Sequence, residues 1–206
     1  MDTLEEIVKV YRIEDEELKL VPPELIDYTG VPKVHLIVED SKLRNNLFST
    51  AKTKLNSDYL VVSANSVPAA QNQLEMCAKQ SPEAILYAVL DYDMSLNINE
   101  DERNPTETLF ENPTFQKYLE RGAIIVFYTG HKKNVQESSL INQARQKYDK
   151  SLILVTDKSD SDVVPMDKLY TMISNYNLEN VARLKKLFTP FNYDIGAAMR
   201  REKPKD

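Results

Sequence analysis

The chain has 206 residues, 42% hydrophobic and 28% charged, enough for one ordinary domain with a sizeable core under a solvated surface. A formal net charge of -6 argues against a protein that coats nucleic acid, and the single cysteine, Cys77, excludes an internal disulfide framework or a cysteine-based metal site. No apolar run reaches the length of a bilayer span and the start Met1–Glu6 is unlike a signal peptide, so no membrane span and a cytoplasmic address are expected.

Residues 1–32 read as an acidic extension packed on the domain that begins at residue 33. Ile7–Ile13 partly alternates, Glu14–Glu17 can turn and Leu18–Val21 can return, which suits a hairpin; a helix through Leu4, Ile7 and Val8 fits nearly as well. Pro22-Pro23 and Gly30-Val31-Pro32 then break the pattern.

From residue 33 the chain alternates strand and helix patterns. Val34–Val38 is the first strand, stopping at Glu39-Asp40-Ser41. Asp40 or Ser41 is expected to cap a helix carrying Leu43, Leu47, Ala51 and Leu55. Tyr59–Ser63 is the second strand. Ser66-Val67-Pro68 opens a helix with a capping hydroxyl and an early proline, its apolar face being Ala70, Leu74 and Cys77. Cys77 is thus expected to be a core thiol.

The third run, Ile85–Leu90, ends abruptly at Asp91-Tyr92-Asp93-Met94. The polar stretch Ser95–Thr114 comes after it, long enough to suggest a functional lid or a disordered insertion. Phe115–Arg121 is a short helix with Gly122 as its C-cap. Ala123–Tyr128 is the fourth strand, ending at Thr129-Gly130-His131, and a helix through Leu140, Ala144 and Tyr148 comes next. Leu152–Thr156 is the fifth strand, ending at Asp157-Lys158; Met166, Leu169, Ile173 and Tyr176 mark the last helix of a domain spanning 33–177. Residues 178–206 hold a short amphipathic helix (Val181, Leu184, Phe188) and a basic tail. Over 179–206 seven Lys/Arg face four Asp/Glu, a net of +3 that leaves -9 on the rest.

Five alternations of this kind indicate an α/β fold, a doubly wound five-stranded parallel sheet. In the flavodoxin-like order 2-1-3-4-5, ligands bind beyond the carboxyl ends of the strands. Glu39 and Asp40, Asp91, Thr129 and Lys158 would then converge on one crevice. Crowded carboxylates repel one another unless a cation neutralises them, and hard oxygens suit Mg2+. A lysine and a hydroxyl opposite them can bind a tetrahedral anion. Those residue types form a site for placing a phosphoryl group on Asp91. Plain N-caps and solvated loop charges after buried strands are the bland alternative.

This order of residues resembles the receiver domain of two-component response regulators, over roughly Lys33 to Tyr176. The acidic pair after the first strand is Glu39-Asp40. The Asp-x-x-Met-Pro turn is Asp91–Met94 followed by Ser95, and the strand-end Thr and Lys are Thr129 and Lys158. The resemblance implies Asp91 as phospho-acceptor, with Asp40 and Asp91 on Mg2+ directly, Glu39 mainly through water and the Asp93 carbonyl completing the site. Lys158 would pair with the phosphoryl group and Thr129 would swing toward it. It also implies a sensor histidine kinase or phosphotransfer protein upstream and a protein target downstream. No sizeable domain follows to bind DNA directly; a homodimer through Tyr170 and Ile173 of the last helix is compatible with the pattern.

Ser95 stands where that family has Pro, Gly130 where it has a small Ala, Ser159 where Pro follows the Lys, and Val155 where an aromatic rotates with the Thr. These departures keep open a degenerate receiver that binds partners without phosphorylation. Asp91–Leu96 also looks like the Asp-x-Asp-x-Thr/Ser-Leu motif of haloacid dehalogenase-type phosphatases, with Thr129 and Lys158 as second and third motifs and Asp160 or Asp162 as later acids. That family's nucleophile lies on its first core strand, however, and here Glu39-Asp40 lies upstream. Asp93 and His131 flank the acceptor, and His35 inside the first strand reads as a core or edge histidine.

Overall fold

The computed structural model describes residues 13–14, 17–18, 25–94, 104–158 and 164–201. Five strands form one all-parallel sheet: β1 (Lys33–Val38), β2 (Tyr59–Ala64), β3 (Ile85–Leu90), β4 (Ala123–Thr129) and β5 (Leu152–Asp157). Their spatial order is β2-β1-β3-β4-β5, the flavodoxin-like arrangement. Each run is apolar on both faces because each strand is covered on both. In β3 every residue from Leu86 to Leu90 is at most 1% exposed, and burying such side chains contributes about 2 kcal/mol apiece. β1 and β3 run in register from Lys33 opposite Ile85 to Val38 opposite Leu90, so Glu39 and Asp91 leave the sheet side by side.

One face of the sheet packs α2 (Val67–Gln80), α3 (Pro113–Arg121) and α5 (Ser139–Lys147); the other packs α1 (Leu43–Lys54), α6 (Met166–Asn175) and α7 (Val181–Phe188). Between β4 and α5 lies α4 (Lys132–Glu137), a helix whose polar sequence carries no periodic signal. Ser66 caps α2 by accepting from Ala69 N–H, as its sequence suggests. At α1 Lys42 holds the N-cap position without a side-chain bond of its own, and the hydroxyl of Ser41, one of the two expected caps, accepts from Leu43 N–H at 3.2 Å while donating to Glu39 Oε1 at 2.6 Å. Gly122 ends α3 with φ 113; a Cβ there would meet a Leu178 methyl at 2.9 Å and the Lys150 carbonyl at 3.1 Å.

Half of the polar stretch after Met94 is built into the fold. Pro105–Glu111 is a 3-10 helix capped by Asn104, with Thr106 and Leu109 fully buried; residues 95–103 lie outside the described residues. Of the acidic extension, Ile13–Glu14 pairs antiparallel with Glu17–Leu18, and the rest of the hairpin or helix expected there lies outside the described residues. Tyr28 is fully buried; its N–H donates to Gln80 Oε1 at 2.9 Å and its carbonyl accepts from the Ser81 hydroxyl. Tyr170 and Ile173 are also in the core, so the helix face suggested for a homodimer is turned inward. His35 lies inside, its Nε2 3.2 Å from the Tyr170 hydroxyl, and burial pushes its pKa down to about 3. Cys77 is buried, as expected of a core thiol.

The free edge of β5 is covered by the chain's own C-terminal segment. Val155 N–H donates to the Tyr193 carbonyl at 2.9 Å, and Arg145 Nε donates to the Ile153 carbonyl at 3.0 Å. Lys132 Nζ meets Asp194 Oδ2 at 2.9 Å, and α8 (Ile195–Arg201) comes next, with Ile195 fully buried. No helix among the described residues is long and apolar enough to cross a membrane.

Candidate functional site

The register of β1 against β3, together with β5 beside β4, brings four of the residues singled out in the sequence into one place. Lys158 Nζ donates to Asp91 Oδ2 at 2.7 Å and to Glu39 Oε2 at 3.0 Å. Both carboxylates are buried, Glu39 1% and Asp91 5% exposed. Single oxygens of Glu39, Asp40 and Asp91 lie within 4.8 Å of one another.

Glu39 is locked at both ends. Its Oε1 accepts from the Ser41 hydroxyl at 2.6 Å and from Ser41 N–H at 3.1 Å, and its Oε2 takes the lysine. Asp91 holds its place through its N–H, which donates to the Val38 carbonyl at 2.8 Å, and through a longer 3.4 Å bond from Asp93 N–H to Oδ1. Asp40 stands at the open side of the group, on the surface.

The electrostatics come from this crowding. Burial raises the Asp91 carboxyl above its ordinary value, with Lys158 opposing and Glu39 adding to the rise. Asp40 is raised as well, by partial desolvation and by the charge of Glu39. Burial pulls the Lys158 ammonium down, but its bonds to Asp91 and Glu39 outweigh that, so it is held charged. One ammonium thus serves two buried carboxylates and a third at the rim. The surplus is negative.

That surplus fits a small hard cation. Mg2+ takes oxygen ligands at about 2.1 Å, so the widest pair in an octahedral shell is about 4.2 Å apart. The three oxygens lie within 4.8 Å of one another, a spacing at which such a cation could take carboxylates directly or through water. Glu39 has both oxygens engaged, Oε1 by Ser41 and Oε2 by Lys158, whereas Asp91 gives the lysine Oδ2 and keeps Oδ1 on a 3.4 Å bond, so Asp40 and Asp91 are the two carboxylates that could hold such a cation directly.

The remaining expected residues lie close by in other roles. Thr129 is fully buried; its hydroxyl accepts from His131 N–H at 3.0 Å, and its carbonyl accepts from Lys158 N–H at 3.1 Å. Asp93, whose carbonyl the receiver resemblance assigns to the metal, turns its carboxylate to His131 Nε2 at 3.0 Å, with both side chains about half exposed. Asp160 and Asp162 lie outside the described residues. Ser41 has no sequence signal as a partner of Glu39, because its position beside a helix start reads as a cap. Thr106, whose hydroxyl donates to the Asp91 carbonyl at 2.9 Å, has no sequence signal at all, being one threonine in a polar run.

Comparison with protein-family models, with curated proteins and with solved structures gives no match to this chain.

Proposed function

We propose that this chain is a receiver-type phospho-acceptor, taking a phosphoryl group on Asp91 with Mg2+ and signalling through protein contacts. The observation that carries the reading is the ammonium of Lys158 set between Asp91 and Glu39, within a group of three carboxylates at the ends of adjacent strands. In the reaction, an Asp91 carboxylate oxygen attacks the donor's phosphorus. The new P–O bond forms as the donor's bond to phosphorus breaks, and the leaving group keeps that electron pair. Lys158 opposes the rise that burial imposes on the Asp91 carboxyl beforehand and pairs with the phosphoryl oxygens afterwards. Glu39, fixed by Ser41, holds the ammonium at the site while Asp91 changes partner. Asp40 and Asp91 would hold Mg2+, which would supply charge neutralisation for the incoming phosphoryl group. A sensor histidine kinase or phosphotransfer protein is the matching donor class, and a protein the matching target.

A second reading has its own support. Thr129 is buried with its hydroxyl bonded to His131 N–H, and Val155 fills the place where receivers carry a mobile aromatic. A receiver scaffold that binds a partner without a phosphorylation switch accounts for both. The haloacid dehalogenase-type reading gains no such support, since Asp91 follows the third strand of the sheet in chain order rather than the first, with its acidic neighbour Glu39 upstream.

Intact mass after incubation with acetyl phosphate and Mg2+ separates the readings. The expected result is one phosphoryl adduct in wild type and Asp93→Asn, absent in Asp91→Asn and absent with chelator. A folded wild type that gains no adduct leaves the binding-module reading; repeated turnover of a small phosphate ester would restore the phosphatase.

A further inference from the structure

We propose that Thr106 and Glu107 form a clamp that positions Asp91 and ties that position to the corner between α4 and α5. The clamp matters only if Asp91 is the reactive residue of the carboxylate site, and in that sense it rests on the acceptor reading.

Asp91 lies one residue beyond β3, where regular sheet bonding ends. The peptide on its N-terminal side is pinned by the bond from its N–H to the Val38 carbonyl. The peptide on its C-terminal side is pinned by the Thr106 hydroxyl, 2.9 Å from the Asp91 carbonyl. With both flanking peptides fixed, the direction in which the Asp91 side chain leaves the backbone is fixed too. Thr106 is fully buried, so water cannot replace its hydroxyl.

The next residues repeat the pairing one step on. The Tyr92 hydroxyl donates to Glu107 Oε1 at 2.8 Å. The same oxygen accepts from the Ser138 hydroxyl at 2.5 Å, and Ser138 both ends α4 and caps α5 through Ile141 N–H. Consecutive residues 91–92 are thus tied to consecutive residues 106–107, and through Ser138 to the helices that come after Thr129. Aromatic packing holds the clamp in place. Phe110 stacks on Phe127 of β4 with ring centroids 6.1 Å apart, and Tyr92 meets the same ring edge-on at 6.0 Å.

A spacer would need only the aromatic packing; a clamp needs the hydroxyl. The test compares Thr106→Val, which keeps the shape and loses the hydroxyl, with Thr106→Ser, which keeps the hydroxyl. Readouts on the full chain are Mg2+ affinity by titration calorimetry, the rate of adduct formation from acetyl phosphate, melting temperature, and the NMR resonance of the Lys158 ammonium, sharp only while Asp91 and Glu39 hold it. Thr106→Val is expected to slow the adduct and weaken Mg2+ by about tenfold, as small misplacements of a reacting group do. It should also broaden the ammonium resonance, and Thr106→Ser should restore all three. A lower melting temperature with affinity, rate and resonance unchanged overturns the clamp. If wild type neither binds Mg2+ nor gains an adduct, the acceptor reading fails by itself, and the resonance alone decides the clamp. Should Thr106→Val not fold, Tyr92→Phe carries the same readouts, and no change in any of them overturns it.

Discussion

Two buried ion pairs sit at the carboxyl ends of neighbouring strands, and they are built on different charge counts. At the C-terminal segment, Lys132 meets Asp194 one to one, and Asp194 is further satisfied by Ala197 N–H. At the ends of β1 and β3, one lysine serves Glu39 and Asp91, with Asp40 beside them. The balanced pair fastens the chain to the edge of β5. The unbalanced group stores repulsion, which a protein keeps at a cost in stability where a ligand relieves it.

Removing each lysine tests this contrast most strongly. Lys158→Met leaves two buried carboxylates without a counter-ion and is expected to cost about 3 kcal/mol in urea unfolding. Millimolar Mg2+ should return much of that loss, and more than it adds to wild type. Lys132→Met strands one carboxylate that keeps a backbone donor, so about 2 kcal/mol is expected, with no recovery in Mg2+. Equal recovery in both variants would erase the distinction between fastening and site.

Removing one acid should give effects of opposite sign. Asp91→Asn relieves the repulsion with Glu39 and is expected to raise stability by about 1 kcal/mol while abolishing adduct formation. Asp194→Asn weakens a satisfied pair and is expected to lower stability by about 1 kcal/mol. Melting curves at neutral pH read both.

The smallest effect is on pH dependence. Asp91 is raised above 3.8, so the folded chain binds that proton more tightly than the unfolded chain does. Its penalty on stability is therefore absent below about 3.8 and complete above the raised value. Protons and Mg2+ compete for the same oxygens, so Mg2+ affinity should begin to fall at a pH above that of an ordinary carboxylate. Lys158, raised above 10.5, works the other way: its stabilisation is present below 10.5 and lost as pH rises through the folded value. Calorimetric titrations from neutral to mildly acid pH would show the first, and alkaline melting curves the second.

The fold is legible in the sequence because buried parallel strands announce themselves as bounded apolar runs, and the polar residues that stop them mark the crevice. Glu39, Asp91 and Lys158 stand out in that way, from position alone. Contacts made by polar segments without periodicity are not legible. Thr106 and Glu107 lie in Pro105–Glu111, where the one apolar signal is Leu109-Phe110, and α4 has a single buried residue, Val135. Tyr193 adopts φ 60, a left-handed backbone that no residue pattern of this tail suggests, and its carbonyl pairs with Val155. The guanidinium of Arg145, 4.6 Å over the Tyr193 ring, reads in sequence as an ordinary exposed helix residue. Tertiary placement decides such residues, and local sequence holds no trace of it.

The bond between Lys158 and Glu39 spans 119 residues of chain, and the bond to Asp91 spans 67. Contacts of that separation form late in folding, because a long loop must close before they gain anything. During synthesis Glu39 and Asp91 emerge well before their lysine, and until β5 docks against β4 the two acids face water and ions without it. The carboxylate group thus gains its lysine only with the last strand, and if it takes Mg2+ as proposed, a signal from the bound ion during refolding would time the completion of the sheet, while helix signals would report its beginning.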